Sequence, residues 1–173
     1  MESARRINRT KRVVLAALFT ALVFLFTAYI LHIPVGGAGA YIHFGDIFIF
    51  LAASTLPFPD ALFVAAIGAS LADFASGASM WIPFTLVIKA LMALSFTSRG
   101  KKLLGPKRNL AAPFIAGLIC LLGYYVAEAL LTGNILEPLA SVPAGIVQFA
   151  GSAILYFVIA KVMDRQDLKE KLL

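Results

Sequence analysis

Eight polar or aromatic residues stand out against an almost wholly apolar background: His43, Asp46, Asp73, Trp81, Lys89, Tyr125, Glu128 and Gln148. An amine, carboxylates, an amide and an imidazole beside aromatic rings suit the reversible capture of a small polar ring compound. The aromatic side chains stack on such a solute and the polar groups fix its orientation. The same set suits bond-breaking chemistry poorly. The chain has no G-x-x-x-x-G-K-[ST] phosphate loop, no H-E-x-x-H and no G-x-S-x-G. Its two histidines, His32 and His43, and its one cysteine, Cys120, cannot make a closed metal site or a disulfide framework. An acyl or phosphoryl transferase would need a nucleophile among several acids or histidines, and that set is not found. No enzyme and no cofactor are expected.

The elements that must hold these residues follow from composition. Of 173 residues, 61% are hydrophobic and 14% charged, and the mean hydropathy is +0.91. A soluble domain is nearer ~45–50% apolar and ~25% charged. So much apolar surface on so short a chain excludes an ordinary soluble domain, and disorder requires low hydrophobicity. What remains is an integral membrane protein, read as one unit over residues 1–173. The net charge of +6 is not a nucleic-acid footprint. Basic residues gather at Arg5, Arg6, Arg9, Lys11 and Arg12, again at Arg99, Lys101, Lys102, Lys107 and Arg108, and again at Lys161, Arg165, Lys169 and Lys171. Lys89 stands alone in an apolar run. This is the distribution of three segments facing the cytoplasm, where they also meet anionic lipid headgroups. No basic face with groove-reading partners is present, so no nucleic-acid partner is expected.

Lipid cannot satisfy backbone N–H and C=O groups, so the spans are read as helices. Apolar runs place them over residues 13–33, 45–57, 60–76, 81–97, 111–131 and 142–163. The first run, Val13–Ile33, exceeds the ~7–15 residues of a signal-peptide core and is kept as a span. The glycine-rich stretch 35–40 reads as a loop. The basic tail and the basic loop share a side, which needs an even number of crossings between them, and so do the loop and the C-terminus. An all-α bundle of six transmembrane helices with both termini cytoplasmic satisfies both conditions. The second run is the weak point: Gly45–Leu56 reaches only ~18 Å as a helix, against ~30 Å of hydrocarbon. A re-entrant hairpin of runs two and three keeps the same parity and is the alternative.

That topology gives each polar group a depth. Asp46 and His43 lie at the outer start of the second span, and Trp81 opens the fourth. At helical rise Lys89 lies ~12 Å below Trp81, Asp73 ~20 Å up the third span, Glu128 ~24 Å up the fifth and Gln148 ~8 Å down the sixth. All fall in the outer half, which describes a polar pocket open to the outside and sealed by apolar packing below. Polar residues in spans default to functional roles, yet each has a plainer alternative. Asp46 can cap a helix. Asp73 and Gln148 can join neighbouring helices. Trp81 and Tyr125 can be interfacial anchors, a level that His43 shares. Lys89 is too deep to reach water and needs a partner such as Glu128 or Asp73, which a structural ion pair would also supply. Asp60 is assigned only a capping role at the inner start of the third span.

In the first span Ala17 and Ala21 form a small-xxx-small pair that lets another helix approach closely. With this pair, the six-span pattern, the loop Pro34–Phe44 and the stretch Gly68-Ala69-Ser70-Leu71-Ala72-Asp73, the chain resembles the substrate-binding S components of energy-coupling factor (ECF) vitamin transporters. The resemblance covers nearly the whole chain. It implies that Ala17 and Ala21 dock on a transmembrane T component and that Pro34–Phe44 is a lid over the substrate. It further implies that two cytoplasmic ATPases power delivery of a vitamin or precursor captured outside, with the S component toppling in the membrane to release it. Within the family the chain looks more like members assigned to hydroxymethylpyrimidine or pyridoxine, in a bacterial cytoplasmic membrane. The rival readings are a stand-alone proton-coupled carrier using Glu128 and Lys89, a membrane enzyme, and a scaffold with structural ion pairs only.

Overall fold

A computed structural model describes residues 9–30, 33–34 and 41–173. Among them are seven helices: α1 (Arg9–Ala28), α2 (Asp46–Thr55), α3 (Phe58–Ala75), α4 (Ile82–Leu94), α5 (Lys107–Thr132), α6 (Val142–Arg165) and α7 (Leu168–Leu172). Single 3-10 turns at Ser79–Trp81 and Glu137–Ala140 lead into α4 and α6. Pro59, Pro83 and Pro143 all sit in the first turn of their helices, where the missing N–H would have had no intrahelical partner. Gly133, at φ +68°, ends α5 in the left-handed conformation that glycine adopts without strain.

Four helices, α1, α3, α5 and α6, are long and apolar enough to cross a membrane. Many of their large apolar side chains face outward, among them Leu18, Phe63, Leu118 and Ile154, as expected of surfaces solvated by lipid. At ten residues, α2 covers ~15 Å at helical rise. Every residue of it except Phe48 is buried, so its short length leaves little backbone against lipid. It packs against α1, α3, α4 and α6 and forms the centre of the bundle. The longest helix contact is between α1 and α3. Gly68 makes it possible: a methyl group there would lie 2.9 Å from Val23 Cβ and 3.1 Å from the Thr20 carbonyl.

The structure corrects several expectations. The first helix ends at Ala28, not Ile33, because Ile33–Pro34 (β1) pairs antiparallel with Tyr41–Ile42 (β2). The residue before a proline disfavours helix, and the hairpin takes the chain instead, so the described residues are helical with one two-residue ladder. The lid segment falls largely outside the described residues, since 35–40 and His32 are not among them. Arg9, Lys11 and Arg12 belong to the first turn of α1 rather than to a tail, and Lys107 and Arg108 open α5. Asp60 is more than a cap: its carboxylate takes both Nε (2.7 Å) and Nη2 (3.1 Å) of Arg12 and ties α3 to α1.

The basic end of the bundle is closed by specific contacts. Arg108 donates to the Ser95 and Leu94 carbonyls at the end of α4. Asn109 holds Thr97 and Leu103, and Asp164 accepts from the Leu103 and Leu104 N–H groups. The charged C-terminus is not a solvated tail. Lys169 of α7 is buried and donates to the Ser54 carbonyl (2.8 Å) and the Ser98 carbonyl (2.7 Å), satisfying orphan acceptors beyond α4 and in the last turn of α2.

Candidate functional site

Helix direction alternates along the chain, so the starts of α2, α4 and α6 meet the ends of α3 and α5 at the end of the bundle opposite Lys169. A cavity opens there, enclosing about 960 Å³ of non-protein space with its open mouth included. Phe50 and Met92 close its floor. Below them Phe50 stacks on Phe96 at 4.9 Å and both meet the Tyr156 ring. The Tyr156 hydroxyl is 2.8 Å from Ser54 Oγ, so the seal's one buried phenol has its partner.

Of the eight residues singled out in the sequence, seven line this cavity: His43, Asp46, Asp73, Trp81, Tyr125, Glu128 and Gln148. Lys89 lies behind the lining, with its side chain 1% exposed. Its partner is neither Glu128 nor Asp73. Lys89 Nζ donates to Asp46 Oδ1 at 2.6 Å, and the Asp46 side chain is only 4% exposed. Asp46 is the first residue of α2 and makes no capping bond of the kind expected, since the preceding Gly45 occupies the cap position. The ammonium also sits 5.4 Å from the centre of the Tyr124 ring and 3.8 Å from Cys120 Sγ, the first a favourable cation–π distance. Removing two charges from water is costly, and such a pair holds only when the remaining lone pairs and protons are also engaged.

They are engaged by Gln148. Its Nε2 donates to Asp46 Oδ2 at 3.0 Å, and its Oε1 accepts from the His43 backbone N–H at 3.2 Å. The same amide lies 3.3 Å from His43 Nε2, while Gly45 N–H donates to His43 Nδ1 at 3.2 Å. One network therefore links α2, α4 and α6 to the chain entering α2. Higher up, the Ser141 hydroxyl donates to Glu128 Oε1 at 3.2 Å. Trp81 and Tyr124 form an aromatic wall with ring centres 6.0 Å apart. The Tyr124 hydroxyl is fixed by Thr85 at 3.0 Å, and the Tyr125 hydroxyl donates to the Ile135 carbonyl at 2.7 Å. Gly117 lets the Phe149 ring cross α5, where a methyl group would overlap it.

Sequence reasoning passed over Cys120 and Tyr124. With Gly117 and Glu128 they recur at helical spacing along one face of α5, and that periodicity was the available signal. Ser141 and Phe149 carried no such mark. Ala17 and Ala21 are exposed on the face of α1 turned away from the bundle, while Leu15, Ala16, Phe19 and Val23 face inward.

Two comparisons bear on this architecture. A relative from Pyrococcus woesei, described as "Uncharacterized protein in gap 3'region", is 32% identical over 109 residues, covering 62% of this chain and 72% of the relative. Residues 7–165 match the model of a family described as "ECF-type riboflavin transporter, S component". Members of that family are transporter binding subunits, not enzymes, and act with a T component and ATPases. With its outward apolar helices and its cavity at one end, the chain is a multi-pass membrane protein and belongs to the ECF-type riboflavin transporter S component family.

Proposed function

We propose that the chain works as one membrane unit that captures a planar heteroaromatic vitamin in the cavity between α2, α4, α5 and α6 and hands it to a T component driven by two ATPases. The observation that carries this reading is the convergence of the Asp46–Lys89–Gln148–His43 network and the Trp81–Tyr124 wall on one cavity. The network presents fixed polar groups and the wall a stacking surface, as a small flat ring requires. In this reading the binding residues are His43, Asp46, Asp73, Trp81, Tyr125, Glu128 and Gln148, with Lys89 holding Asp46 in place. The family's printed description names riboflavin, and a flavin is the first solute to test. Single-ring hydroxymethylpyrimidine or pyridoxine is the second, because three carboxylates and one imidazole match a hydroxylated, nitrogen-bearing ring.

Six crossings with both termini in the cytoplasm complete the proposal. The alternating helix directions and the gathering of Arg12, Arg108 and Lys169 at one end support it, since basic segments favour the cytoplasmic side. The cavity then faces outward, and Ala17 and Ala21 present a flat strip of α1 to the coupling helices of the T component. Reconstituted vesicles test the whole scheme. Uptake of the bound solute is expected only when the T component, both ATPases and ATP are present. Uptake by this chain alone, driven by a proton gradient, would replace the scheme with a stand-alone carrier.

A further inference from the structure

We propose that Glu128 selects the solute: the cavity takes a ring that presents an N–H or a protonated nitrogen to this carboxylate and rejects the phosphorylated or carboxylated form of the same ring. The inference rests on the reading of the cavity given above and adds the chemical class of its occupant.

The argument is one of charge placement. No lysine or arginine lines the cavity among the described residues. The one cation behind it, Lys89, is held by Asp46. The second oxygen of Asp46 is taken by Gln148, and the Gln148 carbonyl by His43 N–H. The floor has thus spent its charges and much of its hydrogen-bonding capacity internally. The His43 ring, the histidine of the described lining, already lies within reach of Gly45 N–H, Thr27 and Gln148. Above this neutralised floor stand Asp73 and Glu128, so the formal charge of the lining and Lys89 together is negative.

Glu128 is only 5% exposed. It has Ser141 as a neutral donor to one oxygen, and no lysine or arginine lies within 4 Å of it among the described residues. A buried carboxylate is costly unless a cation or donors compensate it. A solute nitrogen supplies that compensation, and a charge-assisted hydrogen bond is the strong kind. A phosphate or carboxylate on the solute would instead meet a lining that, among the described residues, carries excess negative charge and offers no lysine or arginine to receive it. Electrostatic exclusion of that kind discriminates through repulsion as well as attraction.

Calorimetry on the purified full chain in detergent tests this with named probes: riboflavin and its 5′-phosphate, and 4-amino-5-hydroxymethyl-2-methylpyrimidine and its monophosphate. At least one free ring should bind, with its phosphate ester weaker by roughly 100-fold or more, about the factor expected when a charged group is buried without a partner. Glu128→Gln should weaken the free ring by roughly 10- to 100-fold and narrow its advantage over the ester. The comparison of ring and ester on the unaltered protein needs no variant, so misfolding of Glu128→Gln leaves the test intact. Equal binding of ring and ester, or a Glu128→Gln protein that binds both as before, overturns the inference while leaving the cavity reading in place. Failure of all four probes to bind overturns both.

Discussion

Deleting the Asp46 carboxylate should be among the most damaging single changes to this fold. Asp46→Ala leaves the Lys89 ammonium, 1% exposed, without its 2.6 Å partner and out of reach of solvent. It also removes the acceptor of the Gln148 amide. Breaking a buried pair from one side costs about 3–5 kcal/mol, and the stranded amide adds about 1–3 kcal/mol. The nearby Tyr124 ring and Cys120 sulfur return only part of this, a cation–π contact being worth about 1–2 kcal/mol. A net loss of about 3–5 kcal/mol is expected. Replacing both partners, Asp46→Leu with Lys89→Met, should recover most of it, because no charge is then left buried. Unfolding in mixed detergent micelles, followed for the unaltered protein, Asp46→Leu, Lys89→Met and the double variant, reads the coupling directly. The reasoning is refuted if Asp46→Ala costs less than about 1 kcal/mol, or if the two single losses add in the double variant. A Glu128→Ala or Asp73→Ala protein that couples to Lys89 as strongly would refute the pairing itself.

Other expectations follow from separate parts of the molecule. Gly68→Leu should force α1 and α3 apart at Val23 and lower stability by about 1–3 kcal/mol, measurable as a reduced melting temperature in detergent. Ala17→Trp or Ala21→Trp, on the exposed face of α1, should leave solute binding unchanged and reduce copurification with the T component; retained copurification would remove the docking role. Burial holds the Lys169 amine at about 8, below its ordinary 10.5. Between those values the unfolded chain keeps a proton that the folded chain has released, so stability rises with pH across that window. Relative to Lys169→Met, the unaltered protein should gain stability from pH 8 to 10.5 and show no pH-dependent difference below 8.

Hydropathy made the helices legible because lipid imposes length and apolarity on any crossing segment. The same arithmetic gave depth along each helix, and depth brought Asp73, Glu128, Gln148 and Asp46 to the same end. It could not give the angle around the bundle axis, which decides who meets whom. Lys89 was therefore paired with carboxylates on neighbouring helices of the sequence, α3 and α5, whereas the central helix α2 supplies Asp46 from 43 residues away. The placement of α2 at the centre was foreshadowed only by the unbroken apolar run between Asp46 and Ser54. The end of α1 was misplaced because Tyr29–Ile33 is as apolar as the span before it, and a local strand pairing with Tyr41–Ile42 competes there. The last residues read as a short charged tail on the cytoplasmic side, since three of the ten from 164 to 173 are acidic and three basic. Only the free carbonyls of Ser54 and Ser98 explain why Lys169 is drawn inside.

Trp81, the chain's one tryptophan, stands in the cavity wall 6.0 Å from Tyr124, and it reports on the cavity without any engineering. Titration of the purified protein with riboflavin and then with the single-ring heterocycles, by calorimetry and Trp81 emission together, tests the assignment of the site most directly. One solute should bind at a single site per chain and change the emission with the same saturation curve as the heat. Heat of binding with unchanged Trp81 emission, or no binding by any of these rings, would contradict it.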